Sequence, residues 1–87
     1  MAVWSLHAGY DDEAKVWYTL DCDVPGLVTE GDTLGRLIDR AVAVMPELLI
    51  DNAHLVSPDR LEGPHSLRVV AFHERVLQLP EFERVAA

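Results

Sequence analysis

One segment of the chain carries a clear helical period. Leu34, Leu37, Ile38, Ala41, Val42, Met45, Leu48 and Leu49 recur at three- and four-residue spacing, while Arg36, Asp39, Arg40 and Glu47 fall on the opposite side. Asp32 or Thr33 is a suitable N-cap, although neither has the Glu or Gln three residues on that would complete a capping box. Asn52 is a plausible C-cap. Pro46 removes one backbone donor and crowds the preceding turn, so a kink or restart is expected near residue 45. A single long helix covers one face of one small sheet. That restricts the rest of the chain to strands packed beneath it.

The strands follow from alternation. "VWSLHA" (3–8) and "KVWYTLDC" (15–22) alternate around the turn residues of "GYDDEA", which reads as a β-hairpin. If Ala8 faces Val16, then Leu6 faces Tyr18 and Trp4 faces Leu20, giving one apolar face. The other face then carries Val3, Ser5 and His7 against Asp21, Thr19 and Trp17, with Trp17 as one large exposed ring. In "DVPGLVTEGDTL" (23–34), Pro25 fixes φ at the second position of a turn and Gly26 supplies the positive φ that a type II turn needs next. "LVT" then reads as a short strand and Gly31 as a second flexible joint.

After the helix, "HLVSPDRLEGPHS" (54–66) has two prolines and one glycine and reads as a long loop. "LRVVAFHERVLQL" (67–79) reads as a strand with Leu67, Val69 and Ala71 on one face and Val70 and Phe72 on the other; residues 80–87 close the chain as a short helix or tail. The expected fold is α+β, in the order β-β-β-α-β, with one helix on one face of a small antiparallel sheet. A chain of 87 residues is one domain, 1–87, with its core in 2–79. Domains this small bury only about three fifths of their unfolded surface. One helix leaves the second face of the last strand bare, so a second copy is the economical cover, and a homodimer through Val70 and Phe72 is expected.

Charge limits the partners. The net charge is −8, and residues 1–32 hold Asp11, Asp12, Glu13, Asp21, Asp23, Glu30 and Asp32 against Lys15 alone. Such a surface repels a phosphate backbone, so direct nucleic-acid binding is not expected, whereas a basic protein would be attracted. A solvated acidic surface that only aids solubility is the plainer reading of the same residues. "MAVWSLH" has no basic leader and "AVAVMP" is too short to span a bilayer, so the expectation is a cytoplasmic chain with no membrane anchor. The single cysteine, Cys22, lies in an apolar strand pattern and reads as a buried, inert thiol.

No catalytic constellation stands out. His7, His54, His65 and His73 form no HExxH, and no Cys–His spacing suits zinc, so neither a metal nor another cofactor is expected. Asp21 and Asp23 are two apart in a strand and, with Glu30, would be the carboxylates of a metal-assisted hydrolase, if they converged. A self-associating domain without a further partner is the remaining alternative.

Residues 16–52, "VWYTLDCDVPGLVTEGDTLGRLIDRAVAVMPELLIDN", resemble the HicB-like antitoxin domain family: an aspartate, then proline and glycine, then a GDT-like helix start. Asp23, Pro25, Gly26, Thr29, Gly31, Asp32 and Thr33 carry the match, which with the preceding strand covers about residues 1–52. The resemblance implies a HicB-like, partial ribonuclease H-like fold in a type II toxin-antitoxin pair, occluding a small basic HicA-type toxin that cleaves messenger RNA. Asp11, Asp12, Glu13, Trp17, Glu30 and Asp32 are the candidate contacts; Asp23, Pro25, Gly26, Gly31 and Thr33 are read as structural. Many such antitoxins add a C-terminal DNA-binding domain, and no such unit is visible after residue 53.

Overall fold

The computed structural model describes residues 2–74 and 77–80; the expected tail lies almost wholly outside them. Four strands and one long helix follow in the order β1 (Ala2–Asp11), β2 (Val16–Cys22), β3 (Glu30–Gly31), α1 (Leu34–Asp51) and β4 (His65–Phe72). The class is α+β, as read from the sequence, with the sheet order β3-β2-β1-β4.

The hairpin is longer than alternation alone implied. Strand β1 runs on through Tyr10 and Asp11, and the turn is formed by residues 12–15. The cause is Asp11. Its carboxylate accepts the backbone N–H groups of Glu13 (2.9 Å) and Ala14 (3.2 Å), its carbonyl accepts that of Lys15 (2.8 Å), and Lys15 takes a positive φ of 58°. The pairing is therefore Asp11 with Val16, Tyr10 with Trp17 and Ala8 with Thr19, followed by a bulge that leaves Leu20 unpaired before His7 meets Asp21. Ala2, Trp4, Leu6 and Ala8 form the buried face as expected. The β2 residues that share it are Trp17, Thr19 and Cys22. Tyr18 and Leu20, expected on that face, are exposed. Trp17, expected on the wet face, turns inward beside Tyr10 and His73, with ring centroids 5.2 and 5.6 Å away.

The sheet is mixed, not antiparallel. Strand β4 pairs in parallel with β1, from Ala2 opposite His65 to Gly9 opposite Phe72. The helix explains this, since a helical crossover between β3 and β4 returns the chain to the end of the sheet where β3 began. The segment expected as a loop over 54–66 is ordered into two 3₁₀ turns, Ala53–Leu55 and Pro58–Leu61, and its last two residues already belong to β4. Strand β4 ends at Phe72, well short of the expected 79.

The punctuated passage before the helix fixes how α1 lies. Leu27 N–H reaches back to the Val24 carbonyl (3.2 Å) across Pro25 and Gly26, with φ of +81° at Gly26, which is the expected turn. The third strand is not "LVT" but Glu30–Gly31, because Thr29 is engaged by Thr19: Thr19 N donates to the Thr29 carbonyl (3.1 Å) and Thr29 N to Thr19 Oγ1 (3.1 Å). At the start of α1, Thr33 Oγ1 accepts the Arg36 N–H (3.1 Å). At its end, the Asn52 amide donates to the carbonyls of Leu48 (3.0 Å) and Pro25 (3.3 Å), tying the helix to the turn. Pro46 lies inside an uninterrupted helix, so the expected restart does not occur. Leu37, Ala41, Met45 and Leu49 are the buried stripe, and they meet Trp4, Leu6, Val24 and Leu27 in a single core.

A Cβ on Gly26 would lie 3.3 Å from a Leu48 methyl, in a backbone conformation that side chains with branched Cβ adopt poorly. Gly26→Val is expected to cost about 2 kcal/mol through strain at that φ. Thermal melts should show a fall of several degrees, and an unchanged melting temperature would overturn the turn assignment.

Candidate protein-interaction surface

The pairing gathers the candidate contact residues at one end of the sheet. Asp11 pairs with Val16, its neighbour Trp17 pairs with Gly31, and Tyr18 pairs with Glu30, so Asp11–Glu13, Trp17 and Glu30–Asp32 lie within a few strand spacings of one another. Their individual positions differ. Asp11 shapes the hairpin turn, Asp12 faces His73 Nε2 at 3.8 Å, and Asp32 pairs with Arg36 at 3.2 Å within the first helical turn. Glu13 and Glu30 are exposed and have no cationic side chain within salt-bridge distance among the described residues. Nearby, Arg40 is occupied by the Glu30 carbonyl (2.7 Å). A shallow groove of about 550 Å³ includes Glu30 in its lining, with Tyr18, Val28, Arg40 and Val44 among others. Apolar side chains thus stand next to the exposed Glu30 carboxylate.

Asp21 and Asp23 do not converge. Asp21 points to the open face of the sheet and meets His7 Nδ1 at 2.5 Å. Asp23 accepts the Ser5 N–H (2.7 Å) through one oxygen and Arg60 Nη2 (3.2 Å) through the other. Among the described residues no three His, Cys, Asp or Glu side chains group as metal ligands. Cys22 is half-buried, and burial pushes its thiol up; the Val24 N–H at 3.5 Å opposes this, while the charges of Asp23 and Asp21 add to it. The thiol is therefore held protonated.

Asp23 belongs to a network that sequence reasoning did not find. Arg60, from the second 3₁₀ turn, lies over the fully buried Trp4 ring at 3.9 Å from its centroid and also donates to the Val3 carbonyl (3.1 Å). The Trp4 indole N–H donates to His65 Nδ1 (3.0 Å). One signal was available: a buried indole needs an acceptor, and four histidines were on offer.

Strand β4 forms one edge of the sheet among the described residues, and its Leu67 and Val69 pack against the core that α1 covers. Val42, Met45, Leu49 and Ile50 of α1 face Leu61, His65 and Leu67 across an apolar groove of about 660 Å³. On the opposite face of the sheet, which no helix covers among the described residues, Val70 is half-buried and Phe72 is 55% exposed, its ring 6.0 Å from His7. No helix among the described residues is long and apolar enough to cross a membrane.

A family model described as a domain of unknown function, DUF1902, matches residues 3–77, which contain every strand and helix above apart from the first residue of β1. The chain belongs to the DUF1902 family. Among solved structures this DUF1902 chain is similar to a hypothetical protein, TTHA1013, from the extremely thermophilic bacterium Thermus thermophilus. The two share 36% sequence identity with a TM-score of 0.67, over 86% of this chain and 99% of that one. No curated protein matches the DUF1902 chain.

Proposed function

We propose that this chain is a protein-binding module that occludes a small basic protein, in the manner of a HicB-like antitoxin covering a HicA-type toxin. The observation that carries the reading is the acidic end of the sheet, where Glu13 and Glu30 stand exposed and unpaired among the described residues and Glu30 lines the groove with Tyr18, Val28 and Val44. Interfaces of this kind combine an apolar patch with a charged rim that steers the partner in. The Asp-Pro-Gly and Gly-Asp-Thr elements serve this surface indirectly. They set the helix, and with it the groove wall that Arg40 and Val44 supply. Since Asp21 and Asp23 are engaged with different partners, the hydrolase alternative gains no support.

The test takes a small basic protein encoded beside this chain's gene, produced as a catalytically inactive variant; the lack of any such neighbouring gene would itself count against the reading. Asp12→Asn, Glu13→Gln and Glu30→Gln together are expected to slow association about tenfold at low salt and to flatten its salt dependence, with little change in dissociation. Asp11 is left intact because its carboxylate holds the hairpin turn. Association unaffected by the triple substitution would remove the contact from this end of the sheet. Failure of the unsubstituted chain to bind that protein would reject the antitoxin reading.

A further inference from the structure

Two features of the β4 side have no counterpart among the described residues of one copy. The first is the α1–β4 groove, whose apolar lining includes Val42 and Ile50, 54% and 75% exposed. The second is the segment after β4, where Leu77 and Leu79 are 63% and 72% exposed in a stretch with no regular structure. Their positions along β4 are opposite. His65, Ser66 and Leu67, which line the groove, begin the strand, whereas the leucine segment follows its end at Phe72. Those ends are separated by seven residue steps, about 23 Å at the rise of a strand. To fill its own groove the segment would have to double back over that length, yet the described leucines stay exposed.

A two-fold axis beside β4 resolves both. Strand β4 has eight residues and an outer edge unpaired among the described residues, which is a template for another strand. Antiparallel pairing of β4 with β4 of a second copy sets the end of each strand beside the start of the other. It thereby directs each leucine segment toward the partner's groove. Leu77 and Leu79, two residues apart, would project to one side of the segment once it lay extended in the groove, and so suit a single apolar slot. We propose that the chain forms a two-fold dimer in which paired β4 edges join the sheets and residues 77–80 of each copy close the α1–β4 groove of the other. This dimer shares β4 with the homodimer expected through Val70 and Phe72, but it uses the edge of the strand and the groove on the helix side in place of the face of those two residues. This does not rest on the antitoxin reading.

Sedimentation equilibrium on the full chain from submicromolar to tens of micromolar is expected to show a dimer. Leu77→Asp/Leu79→Asp should weaken it by roughly ten-thousandfold, about tenfold for each of the four leucines, two per arm, whose burial is lost from a dimer. Ile50→Arg, at an exposed helix position, should weaken it comparably without lowering the monomer's helix content by circular dichroism. The decisive sample mixes the two variants. One intact arm then meets one intact groove, so the mixture should associate more tightly than either variant alone. A native chain that is monomeric throughout overturns the proposal, and a melting temperature lowered by the leucine substitutions in that monomer would seat the arm in its own groove. A native dimer indifferent to both variants also overturns it and would move the interface to the open sheet face.

Discussion

Gly31→Ala is expected to destabilise the fold by about 3 kcal/mol, although it adds a single methyl group to a short strand. A Cβ on Gly31 would lie 2.6 Å from the backbone nitrogen of Leu37 and 3.0 Å from both the Thr33 carbonyl oxygen and Arg36 Cβ. The first two of these atoms make the first hydrogen bond of α1, Leu37 N–H to the Thr33 carbonyl at 3.1 Å. Neither can retreat without opening the helix start. Gly31 cannot retreat either, because it is paired with Trp17 on the other side. For a domain of this size the cost corresponds to a fall in melting temperature of roughly 10 to 20 °C. The control is Gly35→Ala in the same helix turn. A Cβ there meets only Thr33 Oγ1 at 3.9 Å, and the gain in helix propensity should stabilise by about 0.5 to 1 kcal/mol. Thermal or urea unfolding that moved both variants in the same direction would show that β3 and α1 are not pressed together as described.

Trp4→Ala should be at least as costly, at about 3 to 5 kcal/mol, since it empties the centre of the buried sheet face. The informative measurement divides that loss. His65→Ala leaves the indole N–H of a fully buried ring without its acceptor, which costs about 1 to 3 kcal/mol. In a Trp4→Phe background there is no N–H to satisfy, so the same histidine substitution should cost much less. Denaturant unfolding of the four proteins gives this coupling directly. Equal costs of His65→Ala in the two backgrounds would show that the histidine merely packs. The sequence places His65 in the loop over 54–66, and that placement is corrected by the structure. The residue opens β4 opposite Ala2.

What sequence made legible was local. Pro25 and Gly26 require a turn, Thr33 and Asn52 cap a helix, and the leucine spacing gives its buried stripe, all within a few residues of chain. The bulge at Leu20 was invisible because alternation continues on both sides of it. One extra residue then reverses which β2 side chains face the core, so simple alternation puts Tyr18, Leu20 and Trp17 on the wrong side. The direction of β4 is set by the crossover rather than by its own residues. The acids of the candidate surface were legible one by one. Their assembly at one end depends on the pairing of Gly31 with Trp17 and of Asp11 with Val16. Arg60 and His65 reach Trp4 across 56 and 61 residues of sequence, a distance over which periodicity carries no information.

The parallel seam between β1 and β4 also orders events in time. Strand β1 is the first made in chain order and can close its hairpin with β2 at once, yet its other side stays bare until His65–Phe72 have been synthesised. At roughly 5 to 20 residues per second, the half-built sheet waits several seconds for its last member. During that wait Trp4 has neither its histidine nor its arginine, and the main-chain groups along one side of β1 are open to any passing strand. Completion is a single non-local closure, which is slow by comparison with hairpin or helix formation. The ribosome-bound intermediate is therefore the stage at which this chain is most exposed to mispairing.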